Sequence, residues 1–541
     1  FSKSHHLNSS PQPIVCPKTL PHHGGFSGCL VTMASDTAGS FEVEAPVAAP
    51  RRTRKSIINS STKMRSLYRA SVTAAVAMQD ETFSKALKAE AEEFGEDTVA
   101  KITAFEAIAN FVIGCIGAGI VVFPKVMALN GWGLALTLIG ISALVCFETG
   151  RLMIASCELA ELCTGKAKGA ISNYEDIASA AYGGGGQTVL AIVKNSYAIG
   201  GLFVYTVLLV ESLSSFIGPS VDENIVRFCI VFPIILLCSM ITNLKQLAKV
   251  APLGTAAVFC QCAAICIGGL FITVNGKVLV DLADELIKGN FGEDMALLGK
   301  ACETTPICAA LVPVWRFIKF DFFQIGSALS VFVFGFDGVV NLPSIRGEMS
   351  NPAELPNALR TGFIIVASFC IVVMLCGYWG FGSWVTENVI TGMTLFATGF
   401  TKVLAVIASV GVTINLMISY PLIFFTVMSF FESVAKGNFA IPLSKENIVV
   451  RVAMAIFLIL VGLLFESPKA VISLVSAIFG SCLSIFFPLA LFYKLRQQAQ
   501  SIGHSVDPVP PWRMVAHGGV FLCGAVAMIF GFIQELMNFT K

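Results

Sequence analysis

From residue 102 onward the chain is a succession of long apolar runs separated by short polar stretches. Eleven runs approach the roughly 20 residues a helix needs to cross a bilayer. They cover 102–128, 131–155, 187–216, 225–243, 251–274, 324–345, 359–382, 396–430, 447–465, 467–493 and 512–536. This pattern predicts an all-α polytopic membrane protein with 11 transmembrane helices. Residues 1–101 read differently. The Pro-, His-, Ser- and Gly-rich stretch 1–50 lacks the apolar core of a secretory signal and is expected to be disordered. Met33, followed by Ala34 and Ser35, is a candidate start, which would leave 1–32 upstream of it. A basic run from Arg51 to Arg69 and an acidic stretch from Asp80 to Asp97 complete a solvated tail. Its basic part could touch anionic lipid.

Composition agrees with the pattern. The chain is 55% hydrophobic and 13% charged, with a mean hydropathy of +0.77, whereas soluble domains carry about 25% charged residues. The tail holds 22 of the 71 charged side chains, so the remainder has too little polar surface to face water. An ordinary cytosolic enzyme is excluded. So is a nucleic-acid binder, because a net charge of +1 leaves no basic face to neutralise phosphates. The lipid bilayer is the expected partner, and the chain is expected to act as a monomer.

Charge also sets an orientation. With the N-terminus cytoplasmic, the inner loops carry thirteen Lys and Arg, among them Arg151, Lys245, Arg346 and Lys494. The short outer loops carry three, Lys125, Arg227 and Lys469. Positive charge favours the cytoplasmic side, so the N-terminus is expected inside and the C-terminus outside.

An internal repeat points to function. Segment one contains Gly119-Ile120-Val121-Val122-Phe123-Pro124, and segment six contains Gly338-Val339-Val340-Asn341-Leu342-Pro343. A further Gly precedes each, Gly117 and Gly335. Gly and Pro interrupt the helical hydrogen-bond ladder, and freed backbone groups persist at membrane depth only where protein or a water-filled cavity satisfies them. Gly and Pro are common in membrane helices, so the weight rests on the matching positions. Paired breaks in two halves are a sequence pointer to a transporter binding site. Five spans separate them, which predicts a 5+5 inverted repeat: repeat one over 102–274, an outside loop over 275–323, repeat two over 324–493 and an extra peripheral helix over 512–536.

An unwound segment offers N–H groups that favour an anion and carbonyls that favour a cation, which suits an α-amino acid. Gly114, Gly117, Ala118 and Gly119 are the candidates for its carboxylate, the carbonyls of Phe334, Gly335 and Phe336 for its amino group, and Tyr197 for a further contact. Asp337 lies inside the second break, where an ionisable residue is a functional candidate by default. It could carry a coupling proton, pair with a cation, or tie the broken helix ends together. Asn110, Thr413 and Asn415 are candidates for a cation site, with hydrogen bonding between packed helices as the alternative; Asn415 and Ser419 share a helix face. Lys194 is within snorkelling range of the interface and reads as structural, and Glu211 reads as interfacial. Glu148 and Arg151, three apart, are expected to pair.

Other motifs add little. Eleven of the 17 cysteines lie in apolar runs, where Cys behaves as a small hydrophobe, and none has metal-ligand spacing. Cys302 and Cys308 share the long loop, which leaves a disulfide open. Gly183 to Gly186 lack a P-loop's Lys and read as a turn after a short helix from Tyr174 to Tyr182. No nucleophile elbow or His-Glu-x-x-His is present, so no enzymatic chemistry has a carrier. The sequon at Asn538 lies against the last span and is expected to be unused.

These residues resemble the amino acid/auxin permease family, the amino acid transporter transmembrane domain, over about 102–536. The first break with Asn130-Gly131-Trp132 is similar to the family's N-terminal signature. Tyr174-Glu175-Asp176-Ile177 with Tyr182-Gly183, Tyr205 with Glu211, Leu244 to Leu247, and Ser419-Tyr420-Pro421-Leu422 resemble later motifs. Phe334 to Pro343, followed by Glu348-Met349, Pro352, Leu355-Pro356 and Ala358-Leu359, resembles the vacuolar and proton-coupled branch, which often has Glu where this chain has Asp337. Asn110 matches the position that the sodium-coupled neutral branch uses at its cation site. The resemblance implies a leucine-transporter-type fold, alternating access and no covalent cofactor. The expected function is amino acid symport with H+, with Na+ coupling as the alternative. A sensor signalling through the tail is a further alternative; on tail deletion a transporter should keep uptake, while a sensor would lose signalling. The expected location is a vacuolar, lysosomal or plasma membrane.

Overall fold

The computed structural model describes residues 102–217, 221–241, 244–272, 314–396, 398–434, 443–465 and 467–540, with backbone alone for 113, 118, 244–252 and 433. The tail 1–101 and the Cys302–Cys308 pair lie outside the described residues. Among the described residues the structure is helical throughout. Its one extended pairing is an isolated parallel bridge between Ile102 and Met349, where Ile102 N–H donates to Glu348 O at 3.0 Å and Ser350 N–H to Ile102 O at 3.0 Å.

Among the described residues seven helices are long and apolar enough to cross a membrane: Trp132–Thr164, Tyr174–Ile217, Leu253–Phe271, Pro352–Trp384, Phe400–Glu432, Pro468–Ser501 and Pro511–Phe539. The bent pair Phe322–Gly335 plus Asp337–Glu348 makes an eighth if taken as one span. The other three of the eleven runs are also helical but shorter or more polar. The first is broken into Ala104–Cys115 and Phe123–Asn130. Another runs from Glu223 through a π-helical stretch, Val226–Val231, to Ser239. The third, Lys445–Gly462, carries Lys445, Glu446 and Arg451. The run 396–430 falls on Phe400–Val434, and a separate short helix, Val389–Phe396, precedes it. Leu144, Leu237 and Val515 stand among many exposed large apolar side chains, an outer surface suited to lipid chains.

Both sequence-predicted breaks are real, and they are built alike. Ala104–Cys115 starts in a capping box between Thr103 and Glu106 and ends before Gly117, which is extended (φ −112°, ψ −160°). A 3₁₀ turn, Ala118–Val122, then leads into Phe123–Asn130 with Pro124 in its first turn. Phe322–Gly335 starts on the Asp321 cap and ends at Phe336 (φ −115°, ψ 16°). A 3₁₀ turn, Asp337–Asn341, leads into Leu342–Glu348 with Pro343 in its first turn. Proline has no N–H to give to a helix interior but is accommodated in a first turn, so each Pro restarts a helix after a break.

Missing side chains let the two broken helices approach. A Cβ at Gly335 would lie 2.5 Å from the Phe123 ring, and one at Gly338 2.5 Å from Cys115 Sγ and 3.0 Å from the Phe111 ring. Phe123 stands edge-on to Phe332 across the seam (ring centroids 5.2 Å), and Phe111 packs against Phe363 of the Pro352–Trp384 helix (4.9 Å). Overpacking a filled core costs about 1–3 kcal/mol, so Gly338→Ala is expected to destabilise by that amount. Adding Cys115→Ala, which removes the clashing sulfur, should restore most of the loss in thermal unfolding of the purified protein. Equal melting of Gly338→Ala and the double variant would show that the seam is not the cause.

Residues 316–319 are tied to the end of the first broken helix. Trp132 and Gly133 N–H donate to Arg316 O (3.0 Å) and Phe317 O (2.9 Å), and Lys319 N–H donates to Asn130 O (2.8 Å). Gly131 turns the chain there at φ +82°, with Phe317 O only 2.7 Å from where a Cβ would sit. The Gly183–Gly186 turn reduces to a kink: Gly183 alone is non-helical (φ 70°, ψ −159°) between the short helix from Tyr174 and the long one ending at Ile217.

Candidate functional site

The two breaks, the Tyr174–Ile217 helix and the Phe400–Val434 helix enclose a cavity of about 140 Å³. The first broken helix lines it with Gly114, Cys115, Gly117 and Gly119, and the second with Phe334, Gly335, Asp337, Val340 and Asn341. Tyr174–Ile217 contributes Lys194, Tyr197, Ala198, Gly201 and Tyr205, and Ile423 comes from Phe400–Val434. The lining glycines put main chain, not side chain, at the wall.

Asp337 is the carboxyl of this wall. Tyr197 Oη donates to its Oδ2 at 2.8 Å, and the Tyr197 ring meets Phe334 with centroids 6.0 Å apart. An aromatic hydroxyl thus fixes the carboxyl at the helix break. Of the substrate candidates, Gly114, Gly117, Gly119, Tyr197, Phe334 and Gly335 line the cavity. Ala118 lies in the 3₁₀ turn between two lining glycines. Phe336 supplies the break itself, but its ring is fully buried and faces Phe363 at 6.0 Å.

The cation-site candidates are not brought to the cavity. Asn110 lies one turn before Gly114 on Ala104–Cys115 and is not among the lining residues. Thr413 Oγ1 donates to Ser409 O in its own helix at 2.8 Å. Asn415 is buried and accepts from Ser419 Oγ at 3.4 Å; Ser419 hydrogen-bonds Tyr205, which does line the cavity. Asn415 therefore reaches the cavity only through two intermediates.

Two charged residues need a different reading from the one their positions suggested. Lys194 does not snorkel to the interface. It is 3% exposed, lines the cavity and forms an ion pair with Glu175. Lys194 and Tyr197 are three apart and share a helix face, but that spacing does not say which way the face turns. Glu211 is not a lone interfacial acid, since Thr391 Oγ1 (2.9 Å) and Asn388 Nδ2 (3.4 Å) both donate to it. Arg151 pairs with Glu148 at 3.0 Å, as expected.

The helix half beyond each break carries a buried cation paired with an acid elsewhere, as a charge removed from water requires. Lys125 meets Glu387 at 3.4 Å, and Ser467 Oγ also donates to Glu387 at 3.0 Å. Arg346 makes a bidentate bond to Glu161, Nη1 to Oε1 at 2.6 Å and Nη2 to Oε2 at 2.9 Å. Glu161 Oε1 also accepts from Gly169 N–H at 2.7 Å, so this pair ties Leu342–Glu348 to the end of Trp132–Thr164 and the loop after it.

Residues 100–537 match a family profile described as "Transmembrane amino acid transporter protein". The chain is 23% identical to the vesicular GABA transporter of Caenorhabditis elegans over 407 residues, 72% of each chain. It is 22% identical to the human vesicular inhibitory amino acid transporter over 467 residues, 82% of this chain and 77% of that one. It is 21% identical to the amino acid transporter AVT6A of Arabidopsis thaliana over 331 residues, 59% of this chain and 65% of that one.

Proposed function

The chain belongs to the transmembrane amino acid transporter family, and from that premise we propose that it is a secondary active transporter carrying amino acids through the cavity between its two broken helices, with H+ as the coupling ion and Asp337 as its carrier. The family and the relatives are transporters, not enzymes. The observation that carries the finer reading is the meeting of both breaks around one carboxyl, with Asp337 on the wall and held by Tyr197. Substrate carboxylate and ammonium would take the main-chain N–H and carbonyl groups at Gly117–Gly119 and Phe334–Phe336. A proton needs one titratable group, and the cavity has Asp337; sodium needs a cage of oxygens, and Asn110, Thr413 and Asn415 stand away from the cavity.

In this reading the eleven apolar runs are eleven spans, 1–5 and 6–10 form an inverted repeat, and alternating access moves one repeat against the other around the site. The N-terminus lies in the cytoplasm. Relatives named vesicular favour an internal membrane over the plasma membrane.

Purified protein in sealed vesicles tests this. A panel of radiolabelled amino acids, γ-aminobutyrate included, is offered under an imposed pH gradient in sodium-free buffer. Accumulation of at least one of them is expected. Accumulation under a sodium gradient alone would overturn proton coupling. Failure of every compound, in gradient-driven uptake and in exchange, would overturn transport.

A further inference from the structure

We propose that Lys194 is a receptor for the substrate's carboxylate, and that this carboxylate takes the place of Glu175 on it. The inference rests on the transport reading above and adds a side-chain cation to the main-chain N–H groups at Gly117–Gly119 as a partner for the same carboxylate.

Among the described residues that line the cavity, two carry charge, Asp337 and Lys194, of opposite sign. They belong to one constellation: Lys194 and Tyr197 share a face of the Tyr174–Ile217 helix, and Tyr197 Oη binds Asp337 at 2.8 Å. A zwitterion entering the cavity meets in Lys194 a cation for its carboxylate, beside the Gly117–Gly119 N–H groups, while the Phe334–Phe336 carbonyls take its ammonium group. Charge-assisted hydrogen bonds of this kind are the strong ones.

Glu175 is the acid that pairs with Lys194 in the structure. A lysine that is 3% exposed must be paired,, and Lys194 is paired with Glu175. Glu175 does not line the cavity. It sits 19 residues earlier, beyond the Gly183 kink, at the start of the helix, and its side chain is 20% exposed. When a substrate carboxylate takes Lys194, Glu175 is released toward water, not into a dry interior, so the exchange leaves no charge buried alone. Lys194 then links occupancy of the cavity to freedom of the short helix that begins at Tyr174.

The test compares an amino acid that binds the wild-type chain with the amine obtained by removing its carboxylate. Equilibrium binding is measured on full-length protein in lipid nanodiscs for wild type, Lys194→Met, Lys194→Arg and Glu175→Gln. Lys194→Met is expected to lose about 10- to 100-fold in affinity for the amino acid and to bind the amine as wild type does. Lys194→Arg should keep most of the preference for the amino acid. Glu175→Gln should bind the amino acid more tightly, because the competing carboxylate is gone. Equal losses for amino acid and amine in Lys194→Met would make Lys194 a structural bolt and overturn the proposal. If that variant does not fold, unchanged affinity in Glu175→Gln overturns the exchange by itself. A wild-type chain that binds no amino acid overturns the transport reading and this proposal with it, an outcome distinct from the other two.

Discussion

Replacing Asp337 by Asn is expected to abolish accumulation driven by a pH gradient while leaving exchange of labelled for unlabelled amino acid intact. One pH unit is worth about 1.4 kcal/mol, so one-to-one coupling supports about a tenfold concentration ratio. In Asp337→Asn the ratio should fall to about one, because a gradient with no group to act on cannot move an equilibrium. The substitution is nearly isosteric, and the Asn side-chain oxygen can still accept from Tyr197 Oη, which now reaches Asp337 at 2.8 Å. Loss of accumulation with retained exchange therefore reports the missing proton, not a collapsed cavity. A variant that still accumulates tenfold would make Asp337 a tie between broken helix ends. Tyr197→Phe separates the two roles further: it removes the donor, keeps the carboxyl and should retain coupling.

The second large effect lies at the end of the bundle predicted to face the cytoplasm. Arg346 and Glu161 are 3% and 4% exposed in their side chains and bond through two parallel contacts. Breaking a buried pair from one side leaves an uncompensated charge and costs about 3–5 kcal/mol. Arg346→Met is expected to cost that much in thermal or denaturant unfolding of the purified protein. Glu161→Gln should also be costly, since Glu161 accepts from Gly169 and Ile171 N–H as well. The Arg346→Met, Glu161→Gln double variant should be less destabilised than the sum of the singles, because no charge remains unpaired. Strict additivity would show that the two residues do not act as a pair. Arg346→Lys should recover only part of the stability, because an ammonium cannot make the bidentate contact.

Much of the candidate site was legible in the chain because helix breaks are local. Gly117 and Gly119 before Pro124, and Gly335 and Gly338 before Pro343, interrupt backbone hydrogen bonding wherever they fall, and both interruptions appear at those residues. Asp337 was legible for the same reason, as a carboxyl in a break. Lys194 was not. A position along a helix tells depth, and depth alone suggested snorkelling; whether the side chain turns to lipid, solvent or a cavity depends on the neighbouring helices. Glu211 shows the same gap, since its donors Asn388 and Thr391 come from a stretch more than 170 residues away.

The amino-acid sequence alone determined the medium, the helical class and the two breaks, because apolar run length and the effects of Gly and Pro act over a few residues. Only the tertiary structure decided that the breaks meet around one cavity, that Asn110, Thr413 and Asn415 are not among its lining residues, and that Lys194 lines it together with Asp337. Those facts depend on which helix faces pack together. That packing is set by contacts such as Gly335 against Phe123 and Gly338 against Cys115, which join residues some 200 positions apart and leave no pattern in either segment by itself.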